Sequence, residues 1–161
     1  MRFLPAGLLI AALALTGATQ VGAHCQVPCG IYDDELRVQL IEEHITTIEK
    51  SMTQIAALAK ETPVNYNQLV RWIDNKEKHA QEIQTIVADY FLCQRLKAPD
   101  SREGEPWERY VEQLTTLHQV QVAAMKAKQT TDVANVEALR SLVKAFRSAY
   151  FGEAGSHGHS H

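Results

Sequence analysis

Apolar residues recur at helical spacing over most of the chain. After Asp33, a good N-cap, they step by three and four positions and so share one helix face, at Ile41, Ile45, Ile48, Met52, Ile55 and Ala59. The run Glu61-Thr62-Pro63 breaks this pattern. The same spacing resumes from Tyr66 to Cys93 and predicts a second helix.

Two more stretches of this kind follow. One runs from about Trp107 to Lys128, and the other ends near Tyr150. On the inner faces of the second and third helices the pattern places Tyr66, Leu69, Ile73, Ala80, Ile83, Val87, Tyr90, Tyr110, Leu114, Leu117 and Met125. No stretch alternates convincingly with period two. The sequence therefore predicts an all-α protein, an antiparallel four-helix bundle over residues 33–151, followed by a flexible Gly-, Ser- and His-rich tail over residues 152–161.

The first 23 residues have the pattern of a secretory signal. Arg2 precedes a nearly unbroken apolar run from Phe3 to Thr16, and small residues end the segment at Ala23. This run is too short to span a bilayer comfortably, so no membrane attachment is expected after cleavage. Cleavage after Ala23 removes Arg2 and no acid, so 15 of the 16 basic residues and all 19 acidic residues remain, a net charge of −4. We expect a periplasmic or secreted protein, or a cytoplasmic one if the leader is instead a propeptide.

An irregular hook, residues 24–32, would then begin the mature chain. Its sequence combines two cysteines with a proline and a glycine, which excludes a regular helix. Because cleavage exposes the α-amine of His24, the hook offers an amine nitrogen, an imidazole, the backbone nitrogen of Cys25 and two thiolates. Pro28 and Gly30 can bend the chain so that both sulfur atoms reach one metal ion.

The donor set narrows the choice of metal. Mixed nitrogen and thiolate donors exclude Mg²⁺ and Ca²⁺, which take oxygen ligands. Zinc prefers four tetrahedral side-chain ligands, and His24, Cys25 and Cys29 supply only three. An amine and a backbone nitrogen in adjacent positions form a flat five-membered chelate, and flat sites favour Cu(II) or Ni(II). Because Cu(II) would tend to oxidise two thiolates, nickel is the better prediction.

This hook resembles that of the nickel-containing superoxide dismutases. The family pattern His-Cys-x-x-Pro-Cys-Gly-x-Tyr at a processed N-terminus is matched at every fixed position, by His24, Cys25, Pro28, Cys29, Gly30 and Tyr32. A second patch, Asp89-Tyr90-Phe91, is also similar. The resemblance implies a four-helix homohexamer that converts superoxide to oxygen and hydrogen peroxide in antioxidant defence. It also implies one nickel ion per subunit and a processing peptidase.

The resemblance implies a ligand set as well. The sulfur atoms of Cys25 and Cys29, the amine of His24 and the amide nitrogen of Cys25 would hold Ni(II). The His24 imidazole would be the axial ligand of Ni(III). Pro28 would follow a cis peptide that helps to close the hook.

Side chains outside the ligand set would shape and tune the site. By the same resemblance, Tyr32 and Tyr90 would crowd its open face and limit access to small anions. A glutamate on the first helix and a basic partner would steady the axial imidazole. Glu42 and Glu43 are the candidates for this glutamate, and His79 is the candidate for the partner.

Other interpretations of these residues stay open. Cys25 and Cys29 could close a small disulfide loop in an exported helical adaptor. The hook and the His-rich tail could instead serve a periplasmic carrier that holds nickel or copper without turnover. Cys93 is expected to be a buried apolar residue rather than a ligand. With 45% hydrophobic and 22% charged residues and no basic excess, the chain is predicted to be globular and not to bind nucleic acid.

Overall fold

The computed structural model describes residues 28–152, in which all regular secondary structure is helical. Four α-helices follow one another along the chain: α1 (Asp34–Leu58), α2 (Tyr66–Thr85), α3 (Glu105–Gln129) and α4 (Ala134–Phe151). α2 continues directly into a π-helix, Ile86–Arg95, called the π segment below. α1 and α3 each pack against α2 and α4, which confirms the predicted four-helix bundle. Within the described part, no helix is both long enough and apolar enough to cross a membrane.

Side-chain caps fix where the first two helices begin. The carboxylate of Asp33 accepts a hydrogen bond from the backbone N–H of Leu36 (3.0 Å), which confirms the predicted N-cap. Asn65 accepts from the backbone N–H of Gln68 (3.2 Å) in the same way. Because Asp33 follows the hook at once, its cap also sets the point at which the hook joins the bundle.

An aromatic cluster closes the core at the hook end of the bundle. The ring of Phe91, from the π segment, packs edge-on against Phe146 (4.9 Å between centroids) and Tyr150 (5.6 Å) of α4. Phe91 and Phe146 are buried. Edge-to-face pairs at these distances add to the stabilisation that burial alone provides. The π segment is therefore anchored in the core next to the place where the hook begins.

Several residues predicted to face inward lie on the surface. Tyr66 is 71% exposed, and Ile73 is also exposed, because the inner face of α2 passes instead through Lys76, Ala80 and Ile83. A prediction from apolar spacing assigns Ile73 to the inner face and leaves out Lys76, because lysine is polar. Ala59, Leu114 and Met125 are exposed as well. Ala59 is the C-cap of α1, and the inner face of α3 is formed by Leu117, Val120, Ala123, Ala124 and Ala127.

Cys93 is a further correction. It was expected to be buried, but its side chain is exposed, and it forms no disulfide within the part of the chain that the structure describes. The cause is the π segment, in which each backbone N–H donates a hydrogen bond to the carbonyl five positions earlier, as Leu96 does to Phe91 (2.8 Å). The wider turn rotates the residues after Ile86 away from the positions that a 3.6-residue period predicts.

Candidate metal centre

The described part of the hook contains one predicted ligand, Cys29. Its side chain is exposed, and its thiol forms no disulfide with another cysteine of residues 28–152. Gly30 follows with φ of 80°, a left-handed conformation that favours glycine, and a Cβ there would meet nothing within 4 Å. An accessible thiol directly before a left-handed turn suits a thiolate that must bend towards other donors, and soft thiolate and nitrogen donors suit nickel.

The remaining predicted ligands lie outside the described residues. These are His24 and Cys25, and the bond between Val27 and Pro28, expected to be cis, also falls there, as do the signal peptide and the His-rich tail. Residues 28–152 themselves contain no group of three or more His, Cys, Asp or Glu side chains that could hold a metal ion. The ligand set therefore stays a prediction, and the structure describes its surroundings.

Tyr32, the last residue of the hook, is held by the end of the π segment. Its ring meets that of Tyr90 edge-on, with 5.9 Å between centroids. The guanidinium of Arg95 lies over its face, 4.4 Å from the centroid. Its hydroxyl donates a long hydrogen bond of 3.4 Å to the side-chain oxygen of Gln94. The structure thus brings together the two tyrosines that the sequence singled out, 58 positions apart.

One carboxylate organises this end of the bundle. Asp34 accepts hydrogen bonds from the hydroxyls of Tyr90 (2.5 Å) and Tyr150 (2.8 Å). It also binds Arg95 through two parallel bonds, Nε to Oδ1 (2.7 Å) and Nη2 to Oδ2 (2.6 Å). Such two-pronged pairs fix direction as well as distance. We call Asp34, Tyr90, Arg95 and Tyr150 the Asp34 cluster; it joins α1, the π segment and α4.

The Asp34 cluster shifts the proton affinities of its members. Burial favours the neutral acid, but hydrogen bonds from Arg95, Tyr90 and Tyr150 outweigh it and hold the pKa of Asp34 below its usual range. Burial, followed by the hydrogen bond to Asp34, raises the pKa of Tyr90 to about 12, and the same two causes raise the pKa of Tyr150 to about 12. Both phenols therefore keep their protons at neutral pH, and each hydroxyl donates a hydrogen bond to the carboxylate of Asp34.

The candidates for steadying the axial imidazole lie further along the bundle. Glu42 is about two helical turns beyond the start of α1, half exposed, and 3.7 Å from Arg147. Glu43 is exposed. His79 pairs instead with His44, with 2.7 Å between the two Nδ1 atoms. Since His24 lies outside the described residues, their proposed role towards it stays a prediction.

The pair of histidines joins α1 to α2. Burial, and then the nearby His79, lower the pKa of His44, against the opposing effect of Glu82 and Glu43. With both rings neutral, one Nδ1 can donate and the other accept. This contact serves the packing of the two helices about three turns from the hook.

Nothing in the sequence marks Asp34, Arg95 and Tyr150 as members of the site. In the sequence, Asp34 is an ordinary acid in the first turn of a helix, where the helix dipole favours a negative charge. Its partners are 56, 61 and 116 positions away, so no local pattern links them. The one available signal was the similarity of Asp89-Tyr90-Phe91 to the family, which marks the π segment but not its partners.

Comparison with known proteins identifies the family to which the chain belongs. The family model for nickel-containing superoxide dismutase matches residues 19–154, which include the hook and all four helices. No curated protein and no solved structure is significantly similar to the chain. Since the match covers well over half of the sequence, the chain belongs to the nickel-containing superoxide dismutase family, enzymes that contain nickel and act on superoxide.

Proposed function

We propose that the mature chain disproportionates superoxide at one nickel ion per subunit, bound by the hook. The reaction consumes two superoxide ions and two protons and yields one O₂ and one H₂O₂. When bound, nickel supplies the one-electron couple, Ni(II)/Ni(III), for both halves of this reaction. One observation carries the proposal: Tyr32, three residues after the exposed thiol of Cys29, is in contact with Tyr90.

The hook would supply every ligand. The thiolates of Cys25 and Cys29, the amine of His24 and the amide nitrogen of Cys25 would hold Ni(II), and the His24 imidazole would be a further ligand of Ni(III). Pro28 and Gly30 would close the hook around this set. Glu42 or Glu43, with His79, stay candidates for orienting the imidazole.

The two tyrosines would act differently. Tyr90 is 3% exposed and its hydroxyl is bound to Asp34, so it forms a fixed wall. Tyr32 is 40% exposed, and its bond to Gln94 is long and weak. Tyr32 is therefore the tyrosine free to turn its hydroxyl to an incoming anion or to water, while the ring of Tyr90 limits the size of what enters.

Attraction of the anionic substrate would be local, because the mature chain carries a net negative charge. Arg37, on the first turn of α1, holds its guanidinium 5.1 Å from the ring centre of Tyr90. Its Nε is buried and has no hydrogen-bond partner among the described residues. A cation of this kind near the hook attracts anions over a Debye length or less, so we expect the rate to depend only weakly on salt.

Several wider features belong to the same proposal. The enzyme would serve antioxidant defence as a homohexamer. A peptidase would remove residues 1–23, and the mature protein would be periplasmic or secreted; if the leader is a propeptide, it would be cytoplasmic. The His-rich tail would help to load nickel.

The position of the first residue gives the sharpest test. Adding one alanine before His24 removes its amine from the chelate and displaces the imidazole. We expect loss of dismutase activity with unchanged helical content by circular dichroism. The matched control adds one alanine after His161, at the opposite end of the chain, and should keep full activity. Full activity of the first variant would overturn the proposed ligand set.

Cysteine substitutions separate the enzyme from its alternatives. Cys29→Ser should lose both nickel and activity, whereas Cys93→Ser, a change of the same kind at an exposed thiol outside the hook, should keep both. His24→Gln should keep nickel but lose most turnover. Stoichiometric nickel without dismutase activity in the wild-type protein would favour the carrier. An intact mass two hydrogens lower, without metal, would favour the disulfide-closed adaptor.

A further inference from the structure

The end of the π segment surrounds Tyr32 on three sides: Tyr90 at the ring edge, Arg95 at the ring face and Gln94 at the hydroxyl. Of the two contacts to the ring, that of Arg95 is the closer: its guanidinium carbon is 4.4 Å from the centroid, whereas the centroid of Tyr90 is 5.9 Å away. Building on the proposed function, we propose that Arg95 is a positioning residue that fixes the ring of Tyr32 at the end of the hook.

Arg95 can do this because its own orientation is fixed. Its Nε and Nη2 bind the two oxygens of Asp34 edge-on, which leaves the flat face of the guanidinium to cover Tyr32. Asp34 lies in the first turn of α1 and has a side chain only 16% exposed, so it is a rigid base for the pair. Only arginine combines a two-pronged edge with a face that stacks on an aromatic ring.

The other two contacts do not replace this restraint. The hydrogen bond from Tyr32 to Gln94 is 3.4 Å long, near the limit for such a bond. The edge contact with Tyr90 limits the ring from one side only. Ile31, the residue before Tyr32, is 80% exposed and adds no packing. Without Arg95, the hook end that carries Tyr32 would therefore have little to hold it.

Charge attraction is the competing explanation for an arginine at this place. The two bonds to Asp34 set a full negative charge directly against the guanidinium, which leaves little net field to draw a distant anion. Arg37 has no such partner in residues 28–152. Arg95 thus contributes through its shape, and shape and charge can be tested separately.

The test compares two substitutions in the full, processed and nickel-loaded protein. Arg95→Lys keeps the charge but loses the flat, two-pronged group, and Arg95→Met loses both. We expect each to lower kcat/KM per bound nickel by about tenfold, as changes beside metal sites commonly do. Arg140→Lys is the matched control, since Arg140 also pairs with a carboxylate, that of Glu49, through one bond (2.7 Å), and this variant should stay at the wild-type rate. Wild-type activity of Arg95→Lys with a loss in Arg95→Met would overturn the proposal in favour of a charge effect.

A double-mutant cycle asks whether Arg95 acts through Tyr32. In a Tyr32→Ala background, Arg95→Lys should cost almost nothing further, since the group that it positions is gone. Additive losses, or full activity of Tyr32→Ala alone, would refute positioning. An inactive wild-type protein would instead refute the proposed function.

A second readout does not depend on activity. In the metal-free protein, Arg95→Lys should speed hydrogen–deuterium exchange of the backbone amides of residues 29–33, while Arg140→Lys leaves them unchanged. A merely structural role would speed exchange across the helices, visible in α1 and α4. Unchanged exchange at residues 29–33 in Arg95→Lys would overturn the proposal.

Discussion

Replacing Asp34 with asparagine measures how far the hook end of the bundle depends on one carboxylate. Asp34 accepts four hydrogen bonds, two from Arg95 and one each from Tyr90 and Tyr150. Asparagine keeps one carbonyl oxygen but turns an NH₂ group towards donors. Roughly two of the four bonds are therefore lost, and Arg95 loses its counter-ion.

The magnitude follows from the number and kind of bonds lost. A hydrogen bond to a charged partner contributes about 1.5–3 kcal/mol, and we take the lower figure because the side chain of Arg95 is 30% exposed. Two such bonds give a loss of about 3 kcal/mol in the free energy of unfolding. This is a large part of the roughly 5–15 kcal/mol that stabilises a typical domain.

Glu35→Gln is the matched control. Glu35 also lies in the first turn of α1 and also binds an arginine, Arg147, so both variants lose one charge at the same helix end. The side chain of Glu35 is more exposed than that of Asp34 (39% against 16%), and the loss of its pair should cost about 1 kcal/mol or less. The assay is urea unfolding of the metal-free, processed protein at fixed concentration, followed by circular dichroism.

A cost of Asp34→Asn no larger than that of Glu35→Gln would refute the special role of this carboxylate. A pH series adds a second check. Since the folded state lowers the pKa of Asp34 below its ordinary 3.8, the stability that it contributes is complete above about pH 4 and is lost as the pH falls through the folded value. The difference between wild type and Asp34→Asn should therefore shrink below pH 4, and a constant difference would contradict an ionised Asp34.

Other residues give further expectations. Folding lowers the pKa of His44, so the unfolded state binds more protons below about pH 6.5, and the free energy of unfolding should decrease as the pH falls from about 7 to 5. His44→Gln should make this decrease smaller, as measured by unfolding curves over the same pH range. Lys76 donates hydrogen bonds to the carbonyls of Ala127 (3.0 Å) and Lys128 at the end of α3. Lys76→Met should therefore lower the free energy of unfolding by about 1–3 kcal/mol in urea. A more stable variant would show that the cost of burying the charge outweighs these bonds. Tyr150→Phe should cost about 1 kcal/mol in the same assay, since it loses one hydrogen bond to Asp34 while the ring keeps its packing on Phe91.

Features that depend only on residues close together in the sequence were predictable. The caps at Asp33 and the breaks between helices follow from local backbone chemistry, so the helix bounds fall within a few residues of the prediction. The hook motif lies within nine positions, and its donors come from one segment. For the same reason the family could be identified from it, and the family match confirmed this.

Contacts between distant segments were not predictable. The inner face of α2 includes Lys76, which is 4% exposed, and an apolar pattern cannot anticipate that a lysine is buried because it bonds to the end of another helix. Asp34 looks like an ordinary first-turn acid until the fold brings Arg95 and Tyr150 to it. The π segment is invisible as well, because its wider turn changes which residues share a face while the residues themselves stay helix formers.

The π segment also decides how the core and the hook are connected. Tyr90 and Phe91 are neighbours, and both are buried, but Phe91 packs into the core on Phe146 whereas Tyr90 reaches Asp34 and the ring of Tyr32. Core packing that fixes Phe91 must therefore also fix the wall against which Tyr32 rests. An interior this dense transmits small displacements instead of absorbing them. A substitution in the core at this end should thus alter activity per bound nickel as well as stability, whereas an equal loss of stability at the far end, near Met52, should alter stability alone.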